Sequence, residues 1–100
     1  MKTQRFQDLV SKNPDNELFR FSLAQALIEE DRHEEAIEHL DTCIQKKPDW
    51  MVAEILKGKS LLALQRPTDA KQTLERALQL AVEQHHETPE AEVRKLLADL

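Results

Sequence analysis

One hundred residues allow one domain, which buries about two-thirds of its unfolded surface in a modest core. A formal net charge of −5 argues against general nucleic-acid binding, which needs a basic footprint, and against an anionic membrane surface as the main partner. A single cysteine, Cys43, excludes an internal disulfide framework, and no window approaches the ~20 apolar residues of a membrane span.

The lone glycine leaves little material for hairpins or phosphate-cradling loops. With only four aromatics (Phe6, Phe19, Phe21 and Trp50), the core must be mostly Leu, Ile, Val and Ala. The N-terminal residues Met1 to Arg5 lead into no long apolar run, so a signal peptide is not expected. A reducing compartment suits the unpaired cysteine, and a cytoplasmic location is the expectation.

Residues 3–12 suit one short helix. Phe6, Leu9 and Val10 recur at helical spacing, and Asn13-Pro14 ends it. A second helix is predicted over 16–30, with Asp15 or Asn16 as cap and Glu17 in its first turn. It is apolar almost all round, so it should lie between neighbours. A third helix over 33–46 has a single stripe of Ala36, Ile37, Leu40, Cys43 and Ile44 and is stopped by Pro48. The fourth, with Asp49 as its expected cap, runs to about Leu64 and contains Gly58. Gly inside a helix is worse than Ala by about 1 kcal/mol, so close packing is the expected reason. Pro67 fits the first position of a fifth helix reaching about Gln84. After a break at 85–87, Thr88 and Pro89 read as cap and first residue of a sixth helix with the stripe Val93, Leu96, Leu97 and Leu100.

The segment 17–48 has an echo. Leu27, Arg32, Ala36, Leu40 and Gln45 return 34 residues later as Leu61, Arg66, Ala70, Leu74 and Gln79. The lead-in Lys12-Asn13-Pro14-Asp15 returns as Lys46-Lys47-Pro48-Asp49. A fixed period of this size marks stacked helical units.

These residues resemble the tetratricopeptide repeat (TPR) family. Small residues at Ala24, Ala36 and Cys43 recur as Gly58, Ala70 and Ala77; large ones at Leu27 and Leu40 recur as Leu61 and Leu74; Pro14 and Pro48 are the closing prolines. The sequence departs from the family at several places. Arg20 and Glu54 stand at its Trp position, Leu27 and Leu61 at its Tyr, Asp31 and Gln65 at its turn Gly, and Val82 where a third closing Pro is expected. The resemblance implies an all-α fold, a right-handed stack of antiparallel helix pairs. Within a single domain over 1–100, 3–14 reads as a half-repeat, 17–50 and 51–84 as two repeats, and 88–100 as a capping helix.

Catalytic and metal chemistry find little support. His33 and His39 are six apart, not the four that places two ligands on one helical face, and His85 and His86 diverge. Cys43 takes a small inward position and reads as core. No enzyme, metal or cofactor is expected. The resemblance implies a protein or peptide partner in a concave face lined by Leu18, Phe21, Gln25, Ile28 and Glu29, then Val52, Ile55, Lys59 and Leu62. Only Lys59 meets the charge requirement of the family's carboxylate-binding clamp, so an amphipathic helix or short apolar segment fits better than an acidic C-terminus. Packing of Phe21, Ile28, Ile55 and Leu62 between repeats is an equal competitor. Trp50 either staples the entry to the fourth helix or is a binding hot spot. A second functional reading is weak homo-oligomerisation, by open repeat ends or by pairing the acidic run over 29–41 with the basic-leaning 42–71.

Overall fold

A computed structural model describes residues 2–100 as six helices in sequence: α1 (Lys2–Lys12), α2 (Glu17–Glu29), α3 (His33–Lys46), α4 (Met51–Ala63), α5 (Pro67–Glu83) and α6 (Glu87–Ala98). Each packs chiefly on its neighbour in sequence, giving a stack of antiparallel helix pairs about 39 × 27 × 20 Å. No helix among the described residues is long and apolar enough to cross a membrane.

Helix starts follow local chemistry at α2 and α5 and a tertiary contact at α4. Asn16, not Asp15, caps α2: its Oδ1 accepts the Leu18 and Phe19 amides at 3.0 and 3.2 Å. Asp49 does not cap α4. Trp50 holds that position although it has no side-chain acceptor. Its indole is stacked on Phe21, ring centres 4.8 Å apart, so burial of two rings fixes the backbone there. α6 starts earlier than the Thr88-Pro89 signal suggests. His86 is its N-cap, and Pro89 falls inside the first turn, where the missing N–H has no intrahelical partner to lose.

Three turns share one backbone device. Asp31, Gln65 and His85 all have left-handed φ, at 59°, 58° and 57°. In each, the next residue's amide reaches back five positions: Arg32 to the Leu27 carbonyl, Arg66 to Leu61 and His86 to Ala81, each 2.9 Å. This is the Schellman closure of α2, α4 and α5. It normally takes Gly, because a side chain raises the energy of this conformation by roughly 1–2 kcal/mol.

The core forms two clusters. One gathers Val10, Leu23, Ala24, Leu27, Ala36, Leu40 and Ala53; the other gathers Met51, Ile55, Leu74, Ala77, Leu80, Ala81 and Val93. Gly58 has the close-packing role that its helical position suggests. A Cβ there would lie 2.5 Å from Leu74 Cδ2, and Leu74 is fully buried. Cys43 is also buried, its thiol pushed up by burial and donating to the Glu17 carbonyl.

At the family's Trp position the two repeats solve the same problem with opposite charges. Arg20 donates to the Pro14 carbonyl at 3.2 Å and to His39 Nδ1 at 3.2 Å. Burial, aided by the Arg20 charge, holds His39 below the usual imidazole range, which leaves Nδ1 free to accept. In the second repeat Glu54 stands at this position, and the arginine moves to Arg76 on α5, which donates to the matching Pro48 carbonyl. Glu54 is only 7% exposed. Desolvation raises its pKa against the opposing pull of Lys57 and Arg76.

Three stability measurements follow from these features. Gln65→Gly relieves the left-handed strain and should raise stability by about 1 kcal/mol, or roughly 4–8 °C in Tm; an unchanged or lower Tm would show that Gln65 is unstrained. Gly58→Val forces its Cβ against Leu74 and should lose about 2–3 kcal/mol in urea unfolding. The penalty of the native Glu54 charge is complete above its raised folded pKa and vanishes below the ordinary carboxylate range. Glu54→Gln should therefore raise Tm at pH 7, and the gain should fade by about pH 4. A gain that persists at low pH would assign the effect to packing.

Candidate functional site

The face built from α2 and α4 carries the candidate surface. Positions three, four and seven apart on a helix share one side. On α2 that side holds Leu18, Phe21, Gln25, Ile28 and Glu29; on α4, 34 residues on, it holds Val52, Ile55, Lys59, Leu62 and Ala63. α6 borders it, with Glu92 Oε1 2.6 Å from Lys59 Nζ.

Exposure divides these residues. Leu18 is 62% exposed and Val52 43%, two of the four large apolar side chains most open to water. They occupy matched positions at the starts of α2 and α4. Gln25, Glu29, Lys59 and Ala63 are exposed polar or small neighbours. Phe21, Ile28 and Leu62 are half-buried. Ile55 is 7% exposed and belongs to the second core cluster, so it offers no surface to a partner. Its bulk is used to seal α4 against α5.

Two features of the face were not legible residue by residue. The first is the Phe21–Trp50 stack, which joins α2 to the start of α4 and leaves Lys47 Nζ 5.6 Å from the indole centre. Two apolar residues 29 positions apart carry no sequence mark of contact. The second is the Lys59–Glu92 pair, which fills the one lysine among the lining residues with a carboxylate from the chain itself. Glu92 had a faint signal: it falls on a position that is small in both repeats, so it could not be a third copy of the motif.

Among the described residues, Ser60, His33 and Asp31 form a group of catalytic composition. Ser60 Oγ lies 3.1 Å from His33 Nδ1, and His33 Nε2 lies 3.6 Å from Asp31 Oδ1. Serine, histidine and aspartate in line are the parts of an acyl-transfer triad. Ser60 is 1% exposed, however, so no substrate reaches its oxygen. The contact instead ties the α2–α3 turn to α4. Among the described residues no three His, Cys, Asp or Glu side chains converge as metal ligands.

The acidic and basic regions are also resolved into pairs. Lys46, Lys47, Lys57, Lys59 and Arg66 meet Asp15, Glu17, Asp41, Glu92 and Asp69 within 4 Å. Arg32 is shared by Glu30 and Glu35.

Comparison with known proteins agrees with this architecture. The tetratricopeptide repeat family matches residues 1–62. A TPR repeat-containing protein of Pseudomonas aeruginosa is 28% identical over 100 residues, spanning all of this chain and 95% of that one. The solution structure of a Bordetella parapertussis protein superposes with a TM-score of 0.87 at 25% identity, covering 99% of this chain and 86% of that one. The TPR2B domain of yeast Sti1, in its pHsp70 complex, superposes with a TM-score of 0.86 at 22% identity, covering 96% of this chain and 77% of that one. The match over more than half the sequence, the 34-residue echo and the stacked helix pairs lead to one conclusion: this chain belongs to the tetratricopeptide repeat family.

Proposed function

We propose that this chain is a protein-interaction scaffold that holds a peptide or helix of a partner protein on the α2–α4 face. The observation that carries the reading is the matched exposure of Leu18 and Val52. Apolar side chains open at the same position of successive repeats form a spaced pair of anchors, and burying both is favourable for any apolar segment that spans them. The Phe21–Trp50 stack gives the anchors a rigid floor. Gln25 supplies an exposed polar handle beside them, while Lys59 is taken up by Glu92. TPR domains bind protein or peptide partners, and the pHsp70 complex of the Sti1 domain is an instance on a similar backbone. No catalytic step is proposed.

Self-association through opposite charges has less to work with. Five of the basic residues between 42 and 71 are already paired inside the chain, which leaves little free positive charge there for a second copy's acidic run. Exposed pairs of this kind are each worth only about 0–1 kcal/mol, so they neutralise more than they bind.

The test is a paired capture. Wild type and the double variant Leu18→Ala/Val52→Ala are used as bait under identical conditions. Both side chains are exposed, so the variant should keep its helical circular dichroism and Tm. A partner retained by wild type should bind the variant at least about tenfold more weakly, equivalent to ~1.4 kcal/mol. Equal retention of every partner by the folded variant would place the binding surface elsewhere.

A further inference from the structure

The chemistry of the partner segment can be narrowed from the charge along the face. We infer that the α2–α4 face is built for a basic amphipathic helix, lying along α2 and α4 with its cationic end toward the α2–α3 turn; this rests on the scaffold reading above.

The face is graded from one end to the other. At the starts of α2 and α4 it is apolar, with Leu18, Val52 and the Phe21–Trp50 stack. The cations there are Lys12, which borders Leu18, and Lys46 and Lys47, which lie 3.9 Å from Asp15 and 3.7 Å from Glu17. In the middle, Lys59 is cancelled by Glu92 at 2.6 Å. At the far end of α2 the balance is acidic. Glu29, Glu30, Asp31, Glu34 and Glu35 stand against Lys2 and Arg32, and both cations are already in contact with members of that group. Lys2 and Glu29, 3.4 Å apart, are both well exposed, so their pairing is weak and screened. The C-terminal end of the α2 dipole adds negative potential at the same place.

A partner of matching chemistry presents an apolar stripe to Leu18 and Val52 and Lys or Arg toward Glu29. An acidic segment would meet no unpaired lysine among the lining residues in the middle and net repulsion at the end. Complementary charge of this kind sets orientation and on-rate more than total affinity.

Trp50 is the only tryptophan in the chain, so its fluorescence reports on the floor of the face. Two synthetic amphipathic peptides of about 15–20 residues, long enough for marginal helicity, would share one Leu/Phe stripe. One carries Lys at the flanking positions and the other Glu. Each is titrated at low salt and again at about 0.5 M, where the Debye length falls to a few ångströms. The Lys peptide is expected to bind at least about threefold more tightly at low salt, with the advantage lost at high salt. Glu29→Lys should reduce that advantage, and Leu18→Ala/Val52→Ala should weaken both peptides. Equal binding of the two peptides, or tighter binding of the Glu peptide, overturns the charge assignment and leaves the scaffold reading standing. Binding of neither peptide overturns both. Tight binding of the Lys peptide that Leu18→Ala/Val52→Ala leaves unchanged overturns the placement on this face.

Discussion

The close approach of the two helices in each repeat is the constraint on which the structure depends. It is sharpest at Gly58, where Leu74 occupies the space of a missing side chain. Ala24 and Leu40 stand at the corresponding positions of the first repeat, and both are fully buried. Small against large at this point lets the helix axes come near enough for Leu27, Leu61, Ala36 and Ala70 to be sealed from water. The pairing is antiparallel because the connections are short, and short connections need an abrupt helix end. Asp31 and Gln65 supply that end with a left-handed backbone that neither favours as Gly would. Packing therefore outweighs local preference at the turns.

Once the pairs exist, their remaining apolar sides must be covered, which makes stacking obligatory. Val10 and Phe6 of α1 cover the first pair, and Val93 of α6 covers the second. What remains open is decided by this covering. Ile55 is taken into the core beside α5, while Leu18 and Val52 stay exposed. The candidate surface is thus the residue of packing, and its chemistry follows from which side chains packing did not need.

Charge shows the same logic. The sequence separates an acidic run from a basic-leaning one, which invites a picture of opposed patches. In the folded chain most of the basic side chains reach carboxylates brought near by the repeat stack: Lys57 meets Asp41, and Lys59 meets Glu92. The Arg20-to-Glu54 exchange is subtler. A polar group drawn out of water at this position must be matched, and the half-buried Arg20 finds a carbonyl and a histidine. Glu54 faces an arginine that has moved to the neighbouring helix, and it retains a desolvation penalty.

The fold was largely written in the sequence. The 34-residue echo, the small and large positions and the prolines placed six helices close to where they lie, because helix periodicity and chain breakers act locally. Exposure of Leu18, Gln25, Glu29, Val52 and Lys59 also agrees with their helical phase. The tertiary structure alone decided the rest. It put Trp50 rather than Asp49 at the head of α4, because stacking on Phe21 outweighs a cap. It buried Ile55 and left its repeat-mate Phe21 half-open, because α5 and α6 press on one and a neighbouring ring covers the other. It also gave Lys59 a partner from α6. A sequence states which face of each helix is apolar; how much of that face stays open depends on neighbours set by the whole stack, and no local pattern carries that information.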